Sequence, residues 1–297
     1  MTSRKLKPKI YVRRAHSSDR EAVFKFCEKT WSWGDYIPDV WDKWLKDKSG
    51  RVFIATIGDV PVGITHLSID KPHEVWLSGA RTDPNHRRMG VATAITRKCL
   101  DYAKRRGAKV ARLTTESDNI AAQAVIEKLG FKPTAEFTEM KTEKITQETS
   151  ENSKWAQETE ADVAWNYLQN SESYRKAGGL YTTLFHWFSL EKHDLKRFIE
   201  QRKAILHSSP KGEMDGLILI DDTVAREWHE NTMQTCMING DYNPVFDMIR
   251  FLKSHCHALG VKKIYGFTCN HKPVIDALEK LGFETPDSIE IVYEKKL

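Results

Sequence analysis

The stretch Arg81-Thr82-Asp83-Pro84-Asn85-His86-Arg87-Arg88-Met89-Gly90-Val91-Ala92 decides how this chain folds. Before it, Glu74-Val75-Trp76-Leu77-Ser78 is short and apolar enough for a β-strand. After it, Val91, Ala92, Ile95, Cys99, Tyr102 and Ala103 recur at helical spacing as far as Gly107, a natural helix stop. Between strand and helix lies a loop holding Arg87, Arg88 and Gly90. The first N–H groups of a helix have no partner inside it, and the macrodipole adds positive potential there. Gly90 and Ala92 let a backbone come close to a ligand, so this turn is an anion cradle able to hold a pyrophosphate. The alternative is a basic strand–loop–helix with no ligand.

Upstream of the cradle, Lys9-Ile10-Tyr11-Val12-Arg13-Arg14 reads as a first strand, and Ser17-Ser18-Asp19 offers a helix start before the stripe Ala22, Val23, Phe26 and Cys27. Residues 51–57 and 62–69 form a strand pair about Gly58-Asp59. Together with the strand at 74–82 they predict an antiparallel meander feeding the cradle. Residues 30–45 hold four of the nine tryptophans together with Asp35, Asp39 and Asp42. Trp41, Trp44 and Leu45 share a helical face and are expected in the core. Trp33, Asp35 and Tyr36 are candidates either for core structure or for holding a cationic or ring-bearing substrate. Downstream, Ala111-Arg112-Leu113-Thr114-Thr115 reads as another strand, Asn119 opens a helix, and Leu129-Gly130-Phe131 closes it.

The second half repeats the first. Shifted by 152 positions, Ala122, Val125, Ile126, Leu129, Gly130 and Phe131 fall on Val274, Ala277, Leu278, Leu281, Gly282 and Phe283. A helix ends at Gly260 as the earlier one ends at Gly107, and each precedes a strand. Where a second cradle belongs, the sequence is Gly240-Asp241-Tyr242-Asn243-Pro244-Val245. It has no arginine, and Asp241 would repel a pyrophosphate. The second unit is expected to be inactive. Between the halves, residues 141–161 are rich in Thr, Glu, Gln, Ser, Asn and Lys, as in a polar linker or exposed hairpin extension. The expected divisions are therefore 1–140, 141–161 and 162–297.

Composition bounds the possibilities. The chain has 297 residues, 40% hydrophobic and 29% charged, enough for two soluble globular cores. No apolar run is long enough to span a membrane, and no signal-peptide core follows the basic N-terminus. Five cysteines, an odd number without a two-residue spacing, suggest neither a disulfide framework nor a zinc site. The expectation is a reducing cytoplasm and no metal. Residues 1–136 carry 26 basic against 16 acidic side chains, a net of +10, which leaves −5 in the remainder of a chain whose total is +5. This polarity suits a ligand with several phosphates. Nucleic acid is the rival partner, but the basic residues are scattered without a recognised binding motif.

The pattern Pro84-x-x-Arg87-x-x-Gly90-x-Ala92 resembles the coenzyme A loop of the GNAT (Gcn5-related) N-acetyltransferase superfamily, Arg/Gln-x-x-Gly-x-Gly/Ala between a strand and a helix. The following strand, Asn119 and Leu129-Gly130-Phe131 extend the likeness, as does the element order. The resemblance implies a mixed α/β fold: a GNAT-like N-terminal unit followed by a second, degenerate one. It implies that acetyl-CoA lies against Ala80, Arg81, Thr82, Arg87, Arg88, Met89, Gly90, Val91, Ala92 and Asn119. Segment 30–45 would then be the lid over the acceptor, with Trp33, Asp35 and Tyr36 as substrate contacts. Segment 30–45, Ser78-Gly79-Ala80-Arg81 and the degenerate second unit are together similar to histidine N-acetyltransferase-like members, implying an amino acid or other small amine as acceptor. A protein lysine or N-terminal acetyltransferase and a non-catalytic acyl-CoA sensor are the alternatives. Glu74 is the expected general base. The tyrosine acid that many GNAT enzymes place three residues before Leu-Gly-Phe is Ile126 here, which leaves the acid unassigned. The acceptor and the oligomeric state are not readable from the sequence.

Overall fold

Along the second strand of the chain, side chains alternate between two helical layers. Val52 and Ile54 join Val23, Cys27, Ile37 and Trp41 in one core. Phe53, between them, meets Tyr102 on the opposite face, ring centroids 5.5 Å apart. This period of two places the sheet in the middle, with helices on both sides. The computed structural model describes residues 8–28, 30, 34–222, 231–286 and 288–297. They divide into two units.

The first unit comprises residues 1–113, 119–132 and 293–297. Its elements are β1 (Ile10–Arg14), α1 (Arg20–Cys27), α2 (Ile37–Lys46), β2 (Arg51–Ile57), β3 (Val60–Lys71), β4 (Glu74–Thr82), α3 (Val91–Arg105), β5 (Val110–Glu116, to Leu113 in this unit) and α4 (Ile120–Lys128). The strands lie in the order β1-β2-β3-β4-β5. Pairing is antiparallel from β1 to β4 and parallel between β4 and β5. This is the expected meander, and α3 starts at Val91 with Val91, Ile95, Cys99 and Ala103 buried. The C-terminal residues belong here too. Glu294 binds Arg112 at 2.9 Å, and the Tyr293 hydroxyl donates to Glu127 at 3.1 Å.

The second unit comprises residues 114–118 and 133–292. It is built from β6 (Lys132–Thr142), β7 (Ser153–Trp155), α5 (Ala161–Asn170), α6 (Glu172–Lys176), β8 (Leu180–Thr183), β9 (His186–Ser189), α7 (Lys192–Glu200), β10 (Ala204–Ser208), β11 (Met214–Asp221), β12 (Thr232–Gly240), α8 (Tyr242–Ala258), β13 (Lys263–Cys269), α9 (Lys272–Lys280) and β14 (Ile289–Lys296, to Val292 in this unit). Its sheet runs β6-β13-β12-β11-β10-β7. Helices α8 and α9 cover one face and α5 and α7 the other. The inferred repeat is physical: α9 starts and ends 152 residues after α4.

The compact units are divided differently from the expected 1–140, 141–161 and 162–297. The second unit takes Thr114–Asp118 and almost all of β6 from the first half of the sequence, and the first takes Tyr293–Leu297 from the second half. Nor is 141–161 a free linker or a hairpin extension. The Asp247 carboxylate accepts from the Glu151 and Asn152 N–H groups and the Ser153 hydroxyl at 2.9, 3.1 and 2.6 Å. β7 then pairs antiparallel with β10. Polar side chains are no sign of a loose tether when one carboxylate collects their hydrogen bonds.

Candidate active site

Asp83 ends β4. Its carboxylate accepts from the Asn85 N–H and the His86 ring, both at 2.9 Å, and so folds 84–86 into a single helical turn. Burial works against that charge, yet the two donors hold the Asp83 carboxyl below its usual range. The chain leaves this turn extended at Arg87, passes through left-handed backbone at Arg88 (φ 63°) and Gly90 (φ 95°), and enters α3. A Cβ on Gly90 would meet no atom within 4 Å. Glycine is thus required there by backbone conformation, and the open space in front of it suits a ligand pressed against main chain. No side chain caps α3, and no acidic residue lies in its first turn. Arg87, Arg88, Met89 and Gly90 are exposed, Ala92 is half-buried, and Val91 points into the core. The first-turn amides of a fifteen-residue helix and two arginines therefore face one open surface.

A second feature lies on β4 itself. Its parallel ladder to β5 joins only Glu74, Val75 and Trp76 to Val110, Ala111 and Arg112. From Leu77 to Thr82 the β5-facing edge has no ladder partner among the described residues, while the other edge stays paired to β3. The β3 register slips between Ile64 and His66, a bulge that falls at Gly79-Ala80. Gly79 has φ 61°, and a Cβ there would lie 2.6 Å from Trp44. An open strand edge thus leads directly into an anion cradle. An extended polar chain ending in a pyrophosphate fits this pairing, because backbone amides can satisfy both parts.

Several expected site residues have other work. Glu74 stands at the paired end of β4, eight residues and about 25 Å of strand from the cradle. Its carboxylate binds Arg112 at 2.7 Å. Glu74, the expected general base, is thus engaged by Arg112 in this structure. Asp35, expected to meet a substrate cation, has a side chain that is 1% exposed and takes Arg81 Nε at 2.7 Å and Nη2 at 3.4 Å. It also accepts from the Ile37 N–H at 3.0 Å, which starts α2. The same pair withdraws the Arg81 guanidinium from phosphate binding and leaves its backbone on β4. That guanidinium lies 5.3 Å from the Tyr36 ring centroid. Tyr36 is half-buried beside Trp44; burial raises its hydroxyl, with Arg81 opposing. Trp33 lies outside the described residues. Ala80 is exposed at the bulge and Thr82 half-buried at the strand end. Asn119 accepts from the Ala122 N–H at 3.2 Å and begins α4. Cys27 is buried, its thiol pushed up to about 12 by desolvation and then by Asp35, so it is no nucleophile at neutral pH.

The sequence reading missed two side chains on the α1–α2 face, those of His66 and Ser78. His66 is 3% exposed and stacks on Trp44, centroids 4.4 Å apart and planes within 7°. Its Nδ1 lies 3.3 Å from Ser78 Oγ on the neighbouring strand. The available signal was a histidine and a serine on adjacent strands, visible only once the register was known.

Residues 20–131 match the sequence profile of the Acetyltransferase (GNAT) family. That segment is similar to the GNAT family. An uncharacterized N-acetyltransferase of Methanocaldococcus jannaschii is 30% identical over 97 residues, covering 30% of this chain. The chain spans 42% of that relative's length. Among solved structures, a GCN5-related N-acetyltransferase from Sphaerobacter thermophilus superposes with a TM-score of 0.62 at 10% identity, over 97% of this chain and 95% of that one. A tandem GNAT protein from the clavulanic acid biosynthesis pathway gives 0.53 at 10% identity, over 97% and 98%. At such identities these likenesses establish the fold, which is that of GNAT proteins. No helix among the described residues is long and apolar enough to cross a membrane.

Proposed function

We propose that the chain is an acetyl-CoA-dependent N-acetyltransferase, with the GNAT unit as its working half and a primary amine of a small molecule as acceptor. The observation that carries this reading is the join between the open β4 edge and the uncapped start of α3. The Arg87–Ala92 amides would take the pyrophosphate, and the backbone of Ala80–Thr82 the extended arm, with Asn119 beside it. Acetyl-CoA would supply the activated thioester. A β4 N–H aimed at the carbonyl oxygen stabilises the charge that develops on attack. The half-exposed acceptor side of β4 lies toward α1 and α2, away from the face covered by α3.

An amino acid or other small amine, histidine among them, is the favoured acceptor. Losing a proton at pH 7 costs an α-amine only about 1 kcal/mol, against about 4–5 kcal/mol for a lysine side chain. A site whose expected carboxylate base is engaged elsewhere suits the easier acceptor. Ile126, buried at 7% exposure, cannot protonate a leaving thiolate, and this favours the acyl-CoA sensor as second reading. The test is calorimetry with acetyl-CoA, then thiol release across free amino acids, diamines and peptides. Binding with small-amine turnover is expected. Binding without turnover selects the sensor, turnover confined to peptides selects a protein acetyltransferase, and absence of binding ends the reading. A soluble cytoplasmic setting without metal accompanies the proposal.

A further inference from the structure

His66 sits opposite Ser78 in the β3–β4 register, so both side chains project from the α1–α2 face. Ser78 is half-exposed and precedes the Gly79 bulge on the part of β4 whose other edge is open. His66 is buried behind it, held in plane by Trp44. On the far side of the ring, Nε2 lies 3.7 Å from Asp47 Oδ2, and that side chain is 25% exposed. Asp47 belongs to the turn after α2, where the Ser49 N–H and hydroxyl fix it at 2.8 and 2.7 Å. Burial opposes its charge, but these donors keep the Asp47 carboxyl below its usual range. A hydroxyl, an imidazole and a partly exposed carboxylate thus succeed one another outward from β4, at 3.3 and 3.7 Å. Beyond Trp44 on this face lie Tyr36 and the closed Asp35–Arg81 pair.

We propose that Ser78, His66 and Asp47 form a proton relay that removes a proton from the acceptor ammonium. This inference rests on the acetyltransferase reading above. Ser78 Oγ takes the proton from the ammonium as its own hydroxyl proton passes to His66 Nδ1. His66 releases a proton from Nε2 toward Asp47, whose partly exposed carboxylate passes it to water. The neutral amine then attacks the thioester carbon, forming the C–N bond, and the C–S bond breaks with its electron pair on sulfur. The second amine proton neutralises that thiolate, so one proton reaches solvent in each turnover. Ser78 is the catalytic residue of the three, since it meets the substrate. His66 and Asp47 act through it.

Ser78→Ala and His66→Gln test the relay, with Tm and acetyl-CoA affinity measured on both. Relay loss is expected to lower kcat/KM at pH 7 by about a hundredfold in His66→Gln and at least tenfold in Ser78→Ala. Acetyl-CoA affinity should stay within about twofold. The defect must grow with the pKa of the acceptor and fade as pH rises past it, because a neutral amine needs no relay. Ser78→Ala, small and half-exposed, keeps the test open even if His66→Gln fails to fold. Full activity in Ser78→Ala, or a loss equal at every pH, overturns the relay and leaves the acetyltransferase reading standing. A wild-type protein that binds acetyl-CoA but turns over no amine overturns both.

Discussion

The two units make the same strand–helix crossover and differ in what lies between. In the first, β4 ends at Thr82 and α3 begins at Val91, leaving eight residues, 83–90. In the second, β12 ends at Gly240 and α8 begins at Tyr242, leaving one, Asp241. The offset between units falls accordingly, from 240 − 82 = 158 at the strand end to 242 − 91 = 151 at the helix start. Seven residues are missing, and they are the cradle. The parting of strands is nonetheless kept: β12 pairs with β13 only from Thr232 to Thr235. Where they part, the β8–β9 hairpin sets Trp187 and Phe185 against Phe267, centroids 4.9 and 4.8 Å away, and Trp187 also meets Phe137. One unit keeps an open edge and the loop proposed to hold an anion. The other has lost the loop and filled the edge with aromatic core.

The largest expected effect tests that filling. Trp187 is 1% exposed, and Trp187→Ala should cost about 3–5 kcal/mol of unfolding free energy, read by denaturant titration. It should not create a second acetyl-CoA site, because removing the plug does not restore the loop. A stoichiometry of two in calorimetry would break the comparison.

Gly90→Glu comes next. It forces a side chain into left-handed backbone and puts a carboxylate where phosphate is expected, so acetyl-CoA affinity should fall by about a hundredfold or more, equivalent to about 2.7 kcal/mol. Asn243→Ala, in the first turn of α8, should leave affinity unchanged. Equal weakening by both changes would mean that the second unit also binds.

The smallest effect concerns the turn that shapes the cradle. Asp83→Ala removes the acceptor for Asn85 and His86 and should cost about 1 kcal/mol at pH 7. Because the folded carboxyl lies below its unfolded value, its contribution is complete above the ordinary carboxylate range and lost as pH falls through the folded value. The stability gap between wild type and variant should therefore close below about pH 4. A gap that persists in acid would show that the turn is held by backbone alone.

Much of this was readable in the chain. The helical spacing from Val91 to Ala103, the glycine before it and the repeat of α4 in α9 are local patterns, and local sterics and hydrogen bonding enforce them. The missing loop of the second unit was visible as an absence of arginine. What failed was the assignment of polar side chains. Asp35 and Glu74 were read as free carboxylates, but their partners Arg81 and Arg112 lie 46 and 38 residues away in sequence. Burial couples such distant charges strongly, and no spacing rule announces the pairing.

The sequence by itself determined the element order, the anion cradle with its glycine, and the decay of the second cradle, because each depends on neighbours within a few turns of chain. Only the tertiary structure decided where β4 and β5 part, which strands each unit keeps, and which carboxylates are engaged. It alone brought His66 of β3 opposite Ser78 of β4, since strand register is fixed by cores and bulges far from either residue.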